Sequence, residues 1–488
     1  MFQLWPPPTW KCVAAKELAA HMLARCSHLL CRQARRPGIA KPGKKCPREC
    51  ELGRALRPEN GNESHDLNEG FVKRQIVLPV FVIGVLLLAH AQVPAAFLQN
   101  AQPDPVQSYL LPLVSNHTMA GAVTLVADRD RILYLKADGY RDLSAKAPMQ
   151  ADDMFWIAST SKPMTATALM MLVDEGKVNL DDPVENYLPE FKGQLVRLNR
   201  TSANQKAQDA TAIRKDPQLV AANHPILVRE ILSHTSGLPF RSSAQPGALD
   251  LLPLKDAVHS FAQEPLVFQP STGFLYSNEG LDTAGRIIEV VSGMPYEQFM
   301  QEKLFDPLGM KDTTFWPNAK QFSRLAKTYK LDVQGKDLIE VPISQLSYPL
   351  SDRKGRYPMP AGGLFSTAGD VLKFAQMILN GGASNGKRYI SLASLREMTS
   401  RQNKQLSKTG YGFGWSVSSC GYGHGGAFKN DMEINPDKGR VLIFMVQQDG
   451  PWGTTEGDAI ISRLSQLSDE MVASNAKAYA AGAASSRH

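Results

Sequence analysis

The chain has 488 residues, 43% of them apolar and 21% charged, a globular composition long enough for about two domains. Its formal net charge of +7 is confined to residues 1–74, and from Gln92 onward acidic and basic residues balance. Nothing in the main body therefore predicts a nucleic-acid partner.

Cysteine use is as lopsided as charge. Cys12, Cys26, Cys31, Cys46 and Cys50 lie in the first fifty residues, and Cys420 stands alone in the body, which rules out a disulfide internal to it. The spacings among Cys26, Cys31, Cys46 and Cys50 are not those of paired C-x2-C knuckles, so no zinc site is predicted there even with His28 close by.

Residues 1–71 are rich in Pro, Arg and Cys and show no sustained period. Residues 72–91 carry the three parts of a secretory signal: a basic start at Lys73-Arg74, an apolar run over 76–88, and Ala89-His90-Ala91 as an A-x-A cleavage site. The run is short for a membrane-spanning helix, and Pro79 interrupts it. The expectation is an exported protein, periplasmic or extracellular. It has no stable membrane span after cleavage, and is anchored only if the signal is retained. Such a signal belongs at the start of a chain. Residues 1–71 are therefore expected to be a non-structural upstream extension of the reading frame, with translation starting at Val72. The alternative is a cytoplasmic extension ahead of a signal anchor, and N-terminal sequencing of the native protein separates the two.

The body opens with a helix over 104–114, then a β-hairpin of strands 120–127 and 131–137 around the turn Asp128-Arg129-Asp130. A helix-forming run follows from Ser159 and ends before Asp181-Asp182-Pro183. Residues 192–224 are polar with little periodicity and read as a surface insertion. A short helix over 226–232 leads into Ser233-His234-Thr235-Ser236-Gly237. Helical patterns cover 281–292, 296–304 and 368–379. Strands are expected at 422–427, 431–435 and 441–447, the last two separated by the turn Pro436-Asp437-Lys438-Gly439. A closing helix over 457–472 precedes an Ala/Ser-rich tail, 473–488, expected to be disordered. This order predicts an α+β fold. One antiparallel, five-stranded-type sheet is built from both chain ends, with helices on both faces and a helical subdomain, roughly 160–360, inserted. The active site would lie at the seam.

Three motifs carry chemistry. In Ser159-Thr160-Ser161-Lys162 the serine and lysine are one helical turn apart, so the amine can reach the hydroxyl and take its proton. A serine at a helix start also has an N–H with no intrahelical acceptor, which can face an oxyanion. Pro163 is tolerated in such a first turn. In Tyr276-Ser277-Asn278, a phenol beside a lysine charge is expected to have its pKa pushed down and to share the proton, while Asn278 orients Lys162 and binds a substrate carbonyl. For the third motif, Lys408-Thr409-Gly410 and Gly423-His424-Gly425-Gly426 compete. The second falls on a predicted strand of the sheet, where glycines let backbone approach a ligand. His424 is therefore preferred, with the Ala427 N–H completing the oxyanion site and Lys408-Thr409-Gly410 a decoy.

With these motifs in their order, residues 104–472 resemble the class C β-lactamase-related serine hydrolases, a family with a penicillin-binding-protein-type fold that includes esterases and D-amino-acid peptidases. His234-Thr235-Ser236-Gly237-Leu238-Pro239, Pro307-Leu308-Gly309-Met310 and Ala361-Gly362-Gly363-Leu364-Phe365-Ser366-Thr367 add to the likeness. The resemblance makes residues 92–472 the hydrolase domain. It implies Ser159 as the acylated nucleophile, Lys162 as its activator and Tyr276 as proton shuttle. Asn278, His424, Gly425, Gly426 and Ala427 would bind substrate, with no metal or cofactor. His234 is expected to be structural, and Gly362 and Gly363 to permit tight packing. His424 stands where many relatives carry a lysine. A histidine holds a substrate carboxylate less firmly, which disfavours efficient β-lactam hydrolysis and favours ester or D-amino-acid-type amide hydrolysis, the partner being a small-molecule or peptide-like ester or amide. The rival reading is a catalytically silent penicillin-binding or sensor protein. No G-x-S-x-G elbow or H-E-x-x-H helix supports a lipase or a metalloprotease.

Overall fold

A computed structural model describes residues 104–198, 218–452 and 457–485. The signal-like stretch, the cysteine-rich segment, the proposed extension and the interior of the polar insertion lie outside these residues.

The strands are β1 (Gly121–Ala127), β2 (Ile132–Asp142), β3 (Ala147–Pro148) and, after the helical middle, β4 (Gly410–Tyr411), β5 (Ser416–Ser418), β6 (Gly421–Gly425), β7 (Asp431–Asn435) and β8 (Arg440–Met445). They form one antiparallel sheet in the order β4-β5-β6-β7-β8-β1-β2-β3. The five strands read from sequence are its contiguous inner set. The additional β3, β4 and β5 at the edges span only two or three residues, too short to show an alternation. The first and last long strands are neighbours, β1 pairing β8 from Val123↔Met445 to Ala127↔Val441. Asp128 closes the β1–β2 turn by accepting from the Asp130 and Arg131 N–H groups at 2.9 and 2.7 Å.

Every residue of β1 is buried, because helices cover both faces of the sheet. On one face Ala122, Val126, Leu442 and Phe444 pack against α1 (Pro105–Ser115) and the C-terminal helix. On the other, Val123, Leu125, Ile443 and Met445 join the main core. There lie α2 (Ser161–Asp174), α3 (Val228–Ser233), α4 (Leu254–Ala262), α5 (Asn278–Ser292) and α6 (Ala368–Leu379).

Several boundaries differ from expectation for identifiable reasons. Helix α5 starts at Asn278 rather than 281, because Ser277 caps it, accepting from the Gly280 N–H at 3.1 Å. The 296–304 helix is an α-turn, Tyr296–Phe299, running into a π-helical stretch, Met300–Phe305. The wider turn accommodates Pro307, which has no N–H and whose ring would press on a preceding carbonyl. The insertion is not patternless at its base, where residues 195–197 and 219–221 pair as a ribbon tied to the body by Arg197 N–H to Leu266 O at 2.9 Å. The last helix, α7 (Gly457–Ser485), does not stop near 472 but runs into the tail expected to be disordered, because that tail is rich in alanine, the strongest helix former. Among the described residues no helix is long and apolar enough to cross a membrane.

Candidate active site

The chain enters the site through Phe155–Trp156, which pairs with Phe365–Ser366 and so lays the 359–367 loop beside Ser159. Ile157 N–H bonds Leu364 O at 3.0 Å. Ala158 then turns through φ = 46°, a left-handed conformation that costs a non-glycine residue about 1–2 kcal/mol. The surroundings hold it: Ser161 Oγ donates to Ala158 O at 2.6 Å, and Thr160 Oγ1 donates to His424 O on β6 at 3.2 Å. A single 3-10 turn, Ala158–Thr160, leads into α2 and leaves Ser159 partly open to solvent.

Lys162, one turn on, is fully buried. Its Nζ lies 3.1 Å from Ser159 Oγ, 2.7 Å from Asn278 Oδ1 and 2.7 Å from Ala361 O. The last two are carbonyl oxygens and can only accept, so each takes one N–H. In the neutral amine the lone pair is then left for Ser159. Burial pulls the lysine pKa down to about 7, with the charge of Asp282 opposing that fall. The Ser-x-x-Lys pair and Asn278 thus come together as read from sequence.

Tyr276 joins them differently from expectation. Its ring centroid is 4.7 Å from Lys162 Nζ, and burial pushes its phenol up, its interaction with the Ser159 hydroxyl pulling weakly the other way. The predicted depression does not occur, because the loss of water around the buried phenol disfavours phenolate more than its hydrogen bond with Ser159 favours it. Tyr276 is a neutral phenol at Ser159, able to pass a proton on.

His424 lies on β6 and is 1% exposed. Its Nδ1 lies 2.7 Å from Gly425 O and must donate to it; Nε2, 2.9 Å from the Tyr411 hydroxyl, must accept from it. Burial first, and the nearby Lys162 charge second, bring its pKa down to about 3. His424 is a neutral imidazole with both nitrogens engaged, not a free arm for a substrate. Gly425 and Gly426 are half-buried beside it. A Cβ on Gly426 would stand 2.5 Å from Ile157 O, so glycine lets this backbone touch the approach to Ser159. The strand ends at Gly425. Ala427 is exposed, in a turn closed by Gly426 N–H to Asn430 O at 2.7 Å and pinned to Trp156 O by Asn430 Nδ2 at 2.8 Å. Gly362 packs as expected: its carbonyl accepts from Trp156 Nε1 at 2.7 Å, and a Cβ there would meet Met359 Cε at 2.8 Å.

Lys408 of the competing motif is exposed, and Gly410 begins the edge strand β4. The residue after that motif, Tyr411, was not singled out from sequence. Besides bonding His424, its ring stands 4.5 Å from that of His234, which stands 4.5 Å from that of Tyr276. His234, buried and at φ = 60°, accepts from the Ser277 N–H at 3.2 Å, so it braces the Tyr276 segment. Sequence reading also missed Ala361, as an acceptor for Lys162, and Asp282. Among the described residues no cluster of three or more His, Cys, Asp or Glu is placed to hold a metal ion.

The α+β architecture with a serine and a buried amine at a helix tip defines a serine hydrolase. The family model described as "Beta-lactamase" matches residues 106–465, and the chain belongs to that family. An uncharacterised Mycobacterium tuberculosis protein is 31% identical over 365 residues, covering 67% of this chain and 86% of that protein. Esterase EstB of Burkholderia gladioli is 30% identical over 284 residues, 53% of this chain and 66% of that esterase. Among solved structures, EstCE1, a hydrolase with promiscuous acyltransferase activity, superposes with a TM-score of 0.58 at 23% identity, over 75% of this chain and 97% of its own. That likeness is one of fold.

Proposed function

We propose that this serine hydrolase works through an acyl-enzyme on Ser159, with neutral esters as preferred substrates and peptide-like amides as secondary ones. Lys162 takes the Ser159 proton as Oγ bonds to the substrate carbonyl carbon. The displaced electron pair settles on the carbonyl oxygen, facing the Ser159 and Ala427 N–H groups. Tyr276 passes the proton to the departing alkoxide or amine, and the same groups activate water for deacylation. One observation carries this reading: two carbonyl acceptors claim the Lys162 N–H groups and leave its lone pair for Ser159. The ester preference rests on His424, whose neutrality and occupied nitrogens offer no cation to a substrate carboxylate. The relation to EstB supports the same direction. The signal-like pattern of residues 72–91 supports export to the periplasm or beyond.

The test is a substrate panel on the purified protein, with short p-nitrophenyl esters, D-alanyl amides and nitrocefin side by side, for wild type and Ser159→Ala. Ester turnover well above the other two, lost in Ser159→Ala with the melting temperature kept, is the expected result. Undiminished ester turnover by Ser159→Ala removes the assignment.

A further inference from the structure

Four residues after Asn278, and so on the same face of α5, stands Asp282, 2% exposed. Its Oδ1 accepts the Ala361 N–H at 2.8 Å. The carbonyl of that same residue, Ala361, accepts from Lys162 Nζ at 2.7 Å. The second carboxylate oxygen, Oδ2, accepts from the Tyr357 hydroxyl at 3.2 Å. Carboxylate, Ala361 and buried amine thus form a chain, and helix α5 reaches Lys162 twice, directly through Asn278 and indirectly through Asp282.

We infer that Asp282 is the positioning counter-charge of Lys162, acting through Ala361. The inference rests on Lys162 being the group that receives the Ser159 proton. When the Ser159 Oγ–H bond breaks and its proton moves to the Lys162 lone pair, a positive charge appears on a fully buried side chain. An unmatched buried charge is costly, and a carboxylate already hydrogen-bonded nearby offsets it without any solvent rearrangement. No proton or electron pair moves on Asp282 itself. By holding the Ala361 N–H it fixes the stretch of backbone whose next peptide group aims the Ala361 carbonyl at the ammonium, and its charge acts on the amine through space.

The other ionisable groups around this pair do not take that role. Arg356 is paired to Asp250 at 2.6 Å. His234 is held well below its ordinary pKa and His424 down to about 3, by burial first, so both stay uncharged. Glu279, on α5 itself, is pushed well above the carboxylate range by burial and keeps its proton. The Tyr296 hydroxyl is engaged with Thr165 Oγ1 at 2.7 Å. Tyr276 and Tyr357 are phenols held neutral by burial. Burial lowers the Lys162 amine and raises the Asp282 carboxyl, each to about 7, and the charge of each opposes the shift of the other.

The experiment is the pH profile of kcat/KM for a short p-nitrophenyl ester in wild type, Asp282→Asn, Tyr357→Phe and Lys162→Ala, on the whole chain. Asparagine keeps the size and the acceptor for Ala361 N–H and removes the charge. In Asp282→Asn the acid limb should move to lower pH by about one unit or more, because the amine has lost its counter-charge, with KM near wild type and kcat reduced. Tyr357→Phe, which leaves the carboxylate with one fewer donor, should move the limb the same way by less. It carries the test alone if Asp282→Asn does not fold. An acid limb left at its wild-type position in the folded variants overturns the inference. Loss of turnover in Lys162→Ala alongside such an unmoved limb sinks only the Asp282 role. Wild-type turnover by Lys162→Ala sinks the assignment of Lys162 as well.

Discussion

Lys162 Nζ and Asn278 Oδ1 meet at 2.7 Å across 116 positions of sequence, and this contact joins the first turns of α2 and α5. It is the point at which the two halves of the helical middle agree on where the amine points. Asn278→Ala should free the lone pair from Ser159 and lower kcat/KM by about a hundredfold, with a smaller effect on folding. Asn278→Asp places a carboxylate against the amine, favours the ammonium, and should move the acid limb upward by about 1–3 pH units. A limb that stays put in Asn278→Asp would separate Lys162 from proton acceptance.

The wild-type profile follows from the lysine. Its pKa is held at about 7 by burial, and only the neutral amine accepts a proton, so acylation should rise with pH through about 7. Tyr276 is pushed up by burial and contributes no limb near neutrality. Tyr276→Phe should lower kcat by about 10²–10⁴-fold while leaving that limb in place. Stopped-flow measurement of the acylation burst against pH checks both statements.

Tyr411 and His424 make a stability prediction. Their hydrogen bond is buried on both sides, 0% and 1% exposed. Tyr411→Phe leaves the imidazole Nε2 an acceptor with nothing to accept, at a cost of about 1–3 kcal/mol. Denaturant unfolding of the two forms measures it, and equal midpoints would mean the imidazole finds another partner.

Glu279 makes one with a pH sign. Both its carboxyl oxygens are buried without a hydrogen-bond partner among the described residues. Burial raises its folded pKa well above the usual carboxylate range, while the unfolded chain ionises near 4.3. The folded state therefore holds a proton that the unfolded state releases, and stability falls as pH rises above about 4.3. Glu279→Gln should raise the melting temperature at neutral pH, with the gain vanishing near pH 4. A gain independent of pH would point to packing instead.

Asp250 and Arg356 fix the segment that ends at the Lys162 acceptor. Both are almost fully buried, with Nε and Oδ2 2.6 Å apart, and Asp250 also accepts the Ser347 N–H at 2.8 Å. Asp250→Ala strands the guanidinium and should cost about 3–5 kcal/mol. Chemical denaturation reads the loss, and an unchanged midpoint would mean that water reaches Arg356.

What could be read from the sequence follows where local signals are strong. The helix at Ala368–Leu379 and the strand Asp431–Asn435 show whole periods between clear turn residues, and their bounds match the reading. The Ser159, Lys162 and Asn278 cluster was legible because spacing fixes the first pair and a motif marks the third. Tyr411 was not, since its importance comes from a sheet edge packing on His424, a contact without a local pattern. Asp282 left a usable signal. It is a carboxylate one turn beyond Asn278, so the helical period alone places it on the face that carries that motif residue. The Tyr276 pKa was misjudged because a neighbouring charge can be read from a motif, whereas the loss of water around a phenol depends on the completed fold.

The pairing of β1 with β8 bears on translation. The ribosome delivers Ser159, Lys162, Tyr276 and Asn278 well before it delivers Arg440–Met445, so the hairpin made first stands with a bare edge, apolar but for Thr124, until the final strands emerge. A product of premature termination between α6 and β6 would keep the whole Ser/Lys/Tyr/Asn set. It would lack the glycine backbone that closes on Ile157, and would be more prone to strand-to-strand association than to residual turnover.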